Sequence, residues 1–216
     1  MKKIILMSAM ALTAMAAQAQ DMKPVLEKTF LAFDTTQVQD VKIEQSNKLT
    51  LIAKKWDKEW AAHYYVAYSK TVLTYDEKDN AKKDAYLDEA DKEKEDAISI
   101  LGKENDETHV LAAMIANARM GVDPMNRWQK YGAVFSENLK EAKEINPDNP
   151  RIYYLEGVSK FFTPKQFGGG KKTASPYFDK AEALFAKEAA LNKDITQPHW
   201  GMYANKYFIG LCKKED

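Results

Sequence analysis

The clearest structural signal in this sequence is the segment spanning residues 149–192, which reads NPRIYYLEGVSKFFTPKQFGGGKKTASPYFDKAEALFAKEAALN. Two stretches with apolar residues at helical spacing flank a glycine-rich turn at residues 168–170. Because each helix would carry its apolar residues on one face, neither could bury that face by itself. The segment therefore predicts a helical hairpin that packs against other hairpins of the same kind.

The rest of the chain supplies such neighbours. Helical spacing of apolar residues recurs from residue 22 to residue 212, with short stretches rich in Gly, Pro, Asp and Asn between the helices. We expect about nine helices and no strand, arranged as four pairs that are closed by a C-terminal helix. No long linker or low-complexity run divides the chain, so residues 20–216 are predicted to form a single all-α domain.

Several helix boundaries can be predicted from capping chemistry. Gly102 is expected to end the fourth helix in the left-handed conformation, and Gly121 is expected to end the fifth. The Asp123-Pro124 pair is typical of a helix N-terminus, where Asp caps and Pro occupies the first turn. The last helix is expected to begin at residue 196 or 197 and to include Trp200.

The hairpin at residues 149–192 resembles a tetratricopeptide repeat. Tyr153 and Gly157 stand where the first helix of the repeat has an aromatic residue and a glycine, and Ala174, Phe178 and Ala181 match its second helix. The chain also resembles small exported tetratricopeptide-like proteins of Gram-negative bacteria. This resemblance implies an α–α superhelix over residues 22–212 and export from the cytoplasm, and it implies no particular activity.

Residues 1–19 have the form of a signal peptide. Lys2 and Lys3 precede an apolar run, and Ala17-Gln18-Ala19 matches a signal-peptidase site. The apolar run is too short for a good membrane span. We therefore expect cleavage after Ala19 and a periplasmic or secreted mature chain without a transmembrane segment.

Charge and cysteine content exclude some classes of function. The chain has 32 basic and 32 acidic residues, a balance that gives no electrostatic basis for binding nucleic acid. Cys212 is the only cysteine, so no intrachain disulfide can form. We expect packing to stabilise the domain and nucleic acid not to be a partner.

Motifs that suggest catalysis or cofactor binding have simpler structural explanations. The glycine loop at residues 168–170 departs from the phosphate-binding pattern G-x-x-x-x-G-K-[ST], and we expect it to be a turn. The charged residues 88–96 are typical of a solvated helix face. Three histidines lie on different predicted helices without clustered ligands: His63, His109 and His199. We therefore expect no catalytic residue, no metal and no cofactor, and a protein that is not an enzyme.

Aromatic and polar side chains on the first helices of the predicted pairs form a candidate binding surface. In helical-repeat arrays such positions face a concave groove that binds extended peptides, and Tyr and Arg are enriched in binding hot spots. Packing between neighbouring pairs is the other explanation for these side chains. The candidate groove residues are Tyr65, Tyr68, Asn117, Arg151 and Tyr154.

Two functions remain open from the sequence. The first is a non-enzymatic module that binds a protein or peptide of the cell envelope through the concave groove. The second is a small-molecule-binding protein or enzyme with a site between helices, around His63, Tyr64 and residues 198–201. Homodimerisation is a third option, because no further pair would cover the exposed aromatic residues of the last helix.

Overall fold

A computed structural model describes residues 21–191 and 193–214 of the chain. Within these ranges the protein consists of nine α-helices, one short 3₁₀ turn at Lys165–Phe167 and no strand. The predicted signal peptide lies outside the described residues. The helices are α1 (Met22–Asp34), α2 (Gln39–Lys55), α3 (Trp60–Leu73), α4 (Asn80–Leu101), α5 (Asp106–Val122), α6 (Pro124–Ile145), α7 (Pro150–Phe162), α8 (Lys171–Ala189) and α9 (Met202–Lys213).

Consecutive helices pack in pairs, α1 with α2, α3 with α4, α5 with α6 and α7 with α8, and α9 packs on α8. The first helices of successive pairs also contact one another, α1 with α3, α3 with α5 and α5 with α7, so they form a common inner layer. The all-α fold predicted from the sequence, a superhelix of helical hairpins, is confirmed. Its assignment to the tetratricopeptide repeats in particular stays a prediction.

Helix ends follow the predicted capping chemistry at several positions. Gly102 ends α4 with φ of 71°, in the left-handed region that favours glycine. Asp123 caps α6 by accepting a hydrogen bond from the Asn126 backbone N–H, directly before Pro124. Both predictions are confirmed.

Two predicted boundaries are wrong. Gly121 lies inside α5, which continues to Val122, because a single glycine weakens a helix without stopping it. The last helix begins at Met202, and Trp200 therefore belongs to the connection before it. Gly201 has φ of 102°, a left-handed conformation that a helix cannot include.

The core is continuous from α1 to the connection that precedes α9. At its centre α3 is buried on nearly all sides, which is why this helix lacks a polar face. In the α7–α8 hairpin the two helices approach closely at Gly157, where an added Cβ would lie 2.6 Å from the Phe178 ring. No described helix is long and apolar enough to span a membrane.

Candidate functional site

The inner layer of first helices encloses a cavity of about 550 Å³ against the connection before α9 and α9 itself. Its walls come from α1, α2, α3, α5 and α7 with the connections that follow α1 and α3, and from Trp200, Gly201 and one face of α9. We call it the aromatic cavity. Its lining residues are Phe33, Asp34, Gln37, Lys42, Tyr68, Val72, Tyr75, Met114, Tyr154, Trp200, Gly201, Tyr203, Ala204 and Tyr207.

The aromatic side chains of the cavity pack against one another. The ring centroids of Tyr68 and Trp200 are 4.8 Å apart, and Tyr154 meets Trp200 edge-on at 6.2 Å. Tyr203 and Tyr207 lie on α9 with 62% and 64% of their surface exposed, so they form the outer rim. Contacts of this kind hold rings in fixed orientations, and the result is a preformed apolar slot that is open at one side.

Few charged groups reach the cavity. The Asp34 carboxylate accepts a 2.8 Å hydrogen bond from the Tyr68 hydroxyl, and burial raises the pKa of Asp34 above its usual value. The Lys42 ammonium is 3.5 Å from Asp76, which lies on the outer surface. Gln37 adds an uncharged amide at the α1–α2 connection. The site is therefore apolar over most of its wall, and its charged and amide groups come from α1, α2 and the connection between them.

Buried ion pairs lie directly behind the cavity wall. Arg151 is fully buried on α7, and its Nη2 donates to Glu107 Oε1 at 2.6 Å and to Glu188 Oε1 at 2.7 Å. The same Arg151 Nη2 donates to the Pro198 carbonyl at 2.8 Å. We call Arg151, Glu107 and Glu188 the buried triad. It ties α5, α7 and α8 to the connection that carries Trp200.

Trp200 is fixed by a second hydrogen-bonded link to the inner layer. Its Nε1 donates to the Tyr64 hydroxyl at 2.8 Å, and Tyr64 donates in turn to Glu107 Oε2 at 2.9 Å. The Trp200 carbonyl also accepts from Arg151 at 3.3 Å. The indole is therefore held in the cavity wall by the same residues that form the ion pairs behind it.

The structure separates the five candidate groove residues. Tyr68 and Tyr154 line the aromatic cavity, whereas Tyr65 and Arg151 are buried beside it and Asn117 lies away from its lining. The prediction that Arg151 faces the groove is wrong, because its guanidinium is used inside the core. A binding role for the other four residues stays a prediction.

Sequence reasoning missed most of the remaining wall. Met114 and Asp34 are far apart in sequence from the C-terminal segment, and only the fold brings them together. Trp200 and Gly201 line the cavity and belong to the site predicted for the small-molecule alternative, whereas His63 and Tyr64 of that predicted site do not line it.

The other sequence motifs are accounted for by local structure. The backbone N–H groups of Gly168, Gly169 and Gly170 donate to the carbonyls of Lys165, Pro164 and Lys160, so they close a turn. An added Cβ at Gly169 would meet the backbone of Thr163 at 2.1 Å, which explains the need for glycine there. The loop is a compact connection, as the sequence predicted.

His63 has acidic neighbours that the sequence did not reveal. Metal-ligand-type atoms of His63, Glu93 and Asp96 lie within 4.8 Å of one another. His63 Nδ1 is 2.7 Å from Glu93, and Asp96 is paired with Lys92 at 2.6 Å. The hydrogen bond to Glu93 raises the pKa of His63, which favours the imidazolium. We interpret the group as an ion pair between α3 and α4.

A second cavity of about 760 Å³ lies between α6 and α7. Trp128, Phe135 and Tyr177 contribute aromatic surface, while three lysines and two glutamates contribute charge. Lys143 and Glu156 approach to 3.8 Å across it. This cleft lacks the mutually packed rings of the aromatic cavity.

Comparison with known proteins gives an informative match among solved structures. No protein-family model matches the sequence, and no curated protein sequence matches it. Among solved structures, the HusA haemophore from Porphyromonas gingivalis has a TM-score of 0.75 and 33% sequence identity, over 91% of this chain and 94% of the haemophore chain. This chain belongs to the HusA haemophore family. Membership in that family agrees with an all-helical binding protein and with the absence of a membrane-spanning helix from the described residues.

Proposed function

We propose that this protein is an exported, non-enzymatic carrier that binds a flat, largely apolar ligand of the porphyrin class, such as haem, in the aromatic cavity. The observation that carries the proposal is the preformed slot between Tyr68, Tyr154 and Trp200 on the inner side and Tyr203 and Tyr207 at the rim. The family relationship to a haemophore supports the same class of ligand.

The dimensions and chemistry of the slot fit such a ligand. Its volume of about 550 Å³ lies within the usual range for small-molecule sites, and aromatic walls favour stacking on a planar ring system. Tyrosine hydroxyls and the Met114 sulfur are side chains of the kind that bind haem iron in other proteins. The aromatic walls would hold the ring, and these groups are the candidates to reach a metal at its centre.

Export is part of the proposal. The basic residues, apolar run and small-residue site in residues 1–19 predict a signal peptide, and the related protein is a haemophore. A carrier of this kind would operate in the periplasm or outside the cell. It would need no catalytic residue, because its task is to take up and release an intact ligand.

The test is to fill the cavity without removing any packing group. Ala204 lines the cavity on α9, so Ala204→Phe should block the slot, and Lys206→Phe adds the same ring on an exposed position of the same helix. We expect haem to quench tryptophan fluorescence of the wild type and of Lys206→Phe. Ala204→Phe should lose at least about tenfold in affinity, roughly 1.4 kcal/mol. Equal binding by all three proteins would contradict the assignment of the site.

Binding of a protein partner is a second candidate function. It is favoured by exposed aromatic residues outside the cavity, because Phe162 and Phe167 are largely exposed and Phe162 is 6.0 Å from Phe208 on α9. Crosslinking in the native cell envelope followed by mass spectrometry tests it. Crosslinks that map to α7 and α9 would support a docking role, and crosslinks confined to other surfaces would argue against it.

A further inference from the structure

Lys42 is the one basic side chain among the described residues that line the aromatic cavity. It lies on α2, and only 13% of its side chain is exposed. Placing a charged ammonium in a largely apolar wall is costly unless a negative group faces it. The negative group that faces Lys42 therefore indicates which ligands the cavity can bind.

Two acidic residues of the protein act on Lys42. Burial raises the pKa of Asp34 and the Lys42 charge opposes that rise, whereas Asp76 makes a direct but long contact. The Lys42 Nζ is 3.5 Å from Asp76 Oδ2, at the long end of the hydrogen-bond range, and 59% of the Asp76 side chain is exposed. An ammonium has three N–H donors, so this contact leaves Lys42 with capacity to bind another acceptor. Asp34, the acid inside the cavity, receives its 2.8 Å hydrogen bond from the Tyr68 hydroxyl.

Lys42, Gln37 and Asp34 are the polar, non-aromatic side chains that α1, α2 and their connection contribute to the cavity wall. Gln37, an exposed residue of the α1–α2 connection, lines the same cavity and offers an amide N–H. A ligand whose ring system lies between the aromatic walls could thus direct a carboxylate to Lys42 and Gln37. There the carboxylate would gain a charge-assisted hydrogen bond and keep part of its hydration.

We propose that Lys42 selects ligands that carry a carboxylate, so that the aromatic cavity is a site for planar aromatic acids and not for planar neutral molecules. The proposal rests on the proposed function and names the polar contact within the same site. Haem and its iron-free parent meet the requirement through their propionate carboxylates. Asp34 acts in the opposite sense, because its negative charge disfavours a second carboxylate in the cavity.

The test compares protoporphyrin IX with its dimethyl ester, which keeps the ring system and removes both acidic groups. Binding is measured by tryptophan fluorescence quenching for the wild type, Lys42→Gln and Lys48→Gln. Lys48 is the matched control, because it lies on the same helix outside the cavity, in an exposed pair with Glu44. Iron is absent from both ligands, so metal coordination cannot mask the difference.

We expect the wild type and Lys48→Gln to bind the diacid more tightly than the ester. Lys42→Gln should bind the diacid about tenfold more weakly, as expected for the loss of one hydrogen bond between charged groups, and bind the ester as before. Lys42→Arg should retain the preference, and Asp34→Asn should strengthen binding of the diacid alone.

The two proposals fail in different ways. Equal affinity of the wild type for both ligands, or an equal loss for both in Lys42→Gln, would overturn the role of Lys42 and leave porphyrin binding intact. If the wild type binds neither ligand, the proposed function fails, and the selection by Lys42 fails with it. Circular dichroism of each variant shows whether a loss of binding reflects misfolding. If Lys42→Gln is misfolded, the preference of Lys42→Arg for the diacid over the ester decides the outcome.

Discussion

The charges of the buried triad balance only when Lys193, which contacts Glu188, is counted with it. Arg151 faces two carboxylates, Glu107 and Glu188, and Lys193 provides the second positive charge through a 3.0 Å contact with Glu188. Burial raises the pKa of Glu107 above its usual value even though the Arg151 charge acts against the shift. Removal of the guanidinium would therefore leave a carboxylate inside the core with no compensating charge.

Arg151→Met should destabilise the protein by about 3–5 kcal/mol at pH 7, the usual cost of breaking a buried ion pair from one side. The double variant Arg151→Met/Glu107→Gln should recover part of this loss, because it also removes the orphaned charge. The deficit of the single variant should shrink as pH falls, since Glu107 then binds a proton. Urea unfolding at several pH values measures these differences. A loss below about 1 kcal/mol, or no recovery in the double variant, would contradict this account.

Single residues also show where sequence reasoning reaches its limit. Tyr68 and Tyr154 were predicted to face a groove from their positions on first helices, and both line the aromatic cavity. Arg151 has the same kind of position, yet its partners lie 44 and 37 residues away in sequence. A helical pattern specifies which face a residue occupies. It does not reveal a charged residue on a distant helix that forms an ion pair with that side chain.

Among the helices, the α7–α8 hairpin depends on a glycine at its closest point. A methyl group at Gly157 would lie 2.6 Å from the Phe178 ring, whereas a methyl group at Gly132 on α6 meets nothing within 4 Å. Gly157→Ala should therefore destabilise the protein by about 1–3 kcal/mol through overpacking. Gly132→Ala should stabilise it by about 0.5–1 kcal/mol through higher helix propensity.

Urea unfolding of both alanine variants under one set of conditions measures the contrast. Opposite signs are expected because the two substitutions make the same chemical change in a tight and in an open environment. Destabilisation of similar size at both positions would show that close approach of α7 and α8 is not what requires glycine. Stabilisation at Gly157 would contradict the packing directly.

The start of α9 illustrates a different limit at this scale. Trp200, Tyr203 and Tyr207 follow a helical spacing, and periodicity alone placed all three on one helix. The turn at Gly201 separates Trp200 from the others, and the indole is buried against the inner layer for tertiary reasons. Periodicity indicates which residues will be buried. Whether the backbone at such a residue is helical depends also on the distant residues that its side chain packs against.

Across the whole molecule, contacts from the C-terminal segment close the array of hairpins. Trp200 bonds to Tyr64 across 136 residues, and Lys23 at the start of α1 pairs with Asp194 at 2.8 Å. In an open array each hairpin contacts only its neighbours and can unfold separately. Here the connection before α9 reaches back to α1 and α3, so the hairpins share one core.

We therefore expect the mature chain to unfold in a single transition, with circular dichroism and tryptophan fluorescence giving the same midpoint. Protoporphyrin IX at about 100 times its Kd should add about 2.7 kcal/mol to the free energy of unfolding, which raises Tm by roughly 5–10 °C for a chain of this size. Ala204→Phe should unfold as cooperatively as the wild type and show no ligand-induced shift.

Two separated transitions would contradict the single domain predicted for residues 20–216, because they would mean that the C-terminal contacts do not couple the hairpins. An equal Tm shift in Ala204→Phe would instead place the ligand outside the aromatic cavity.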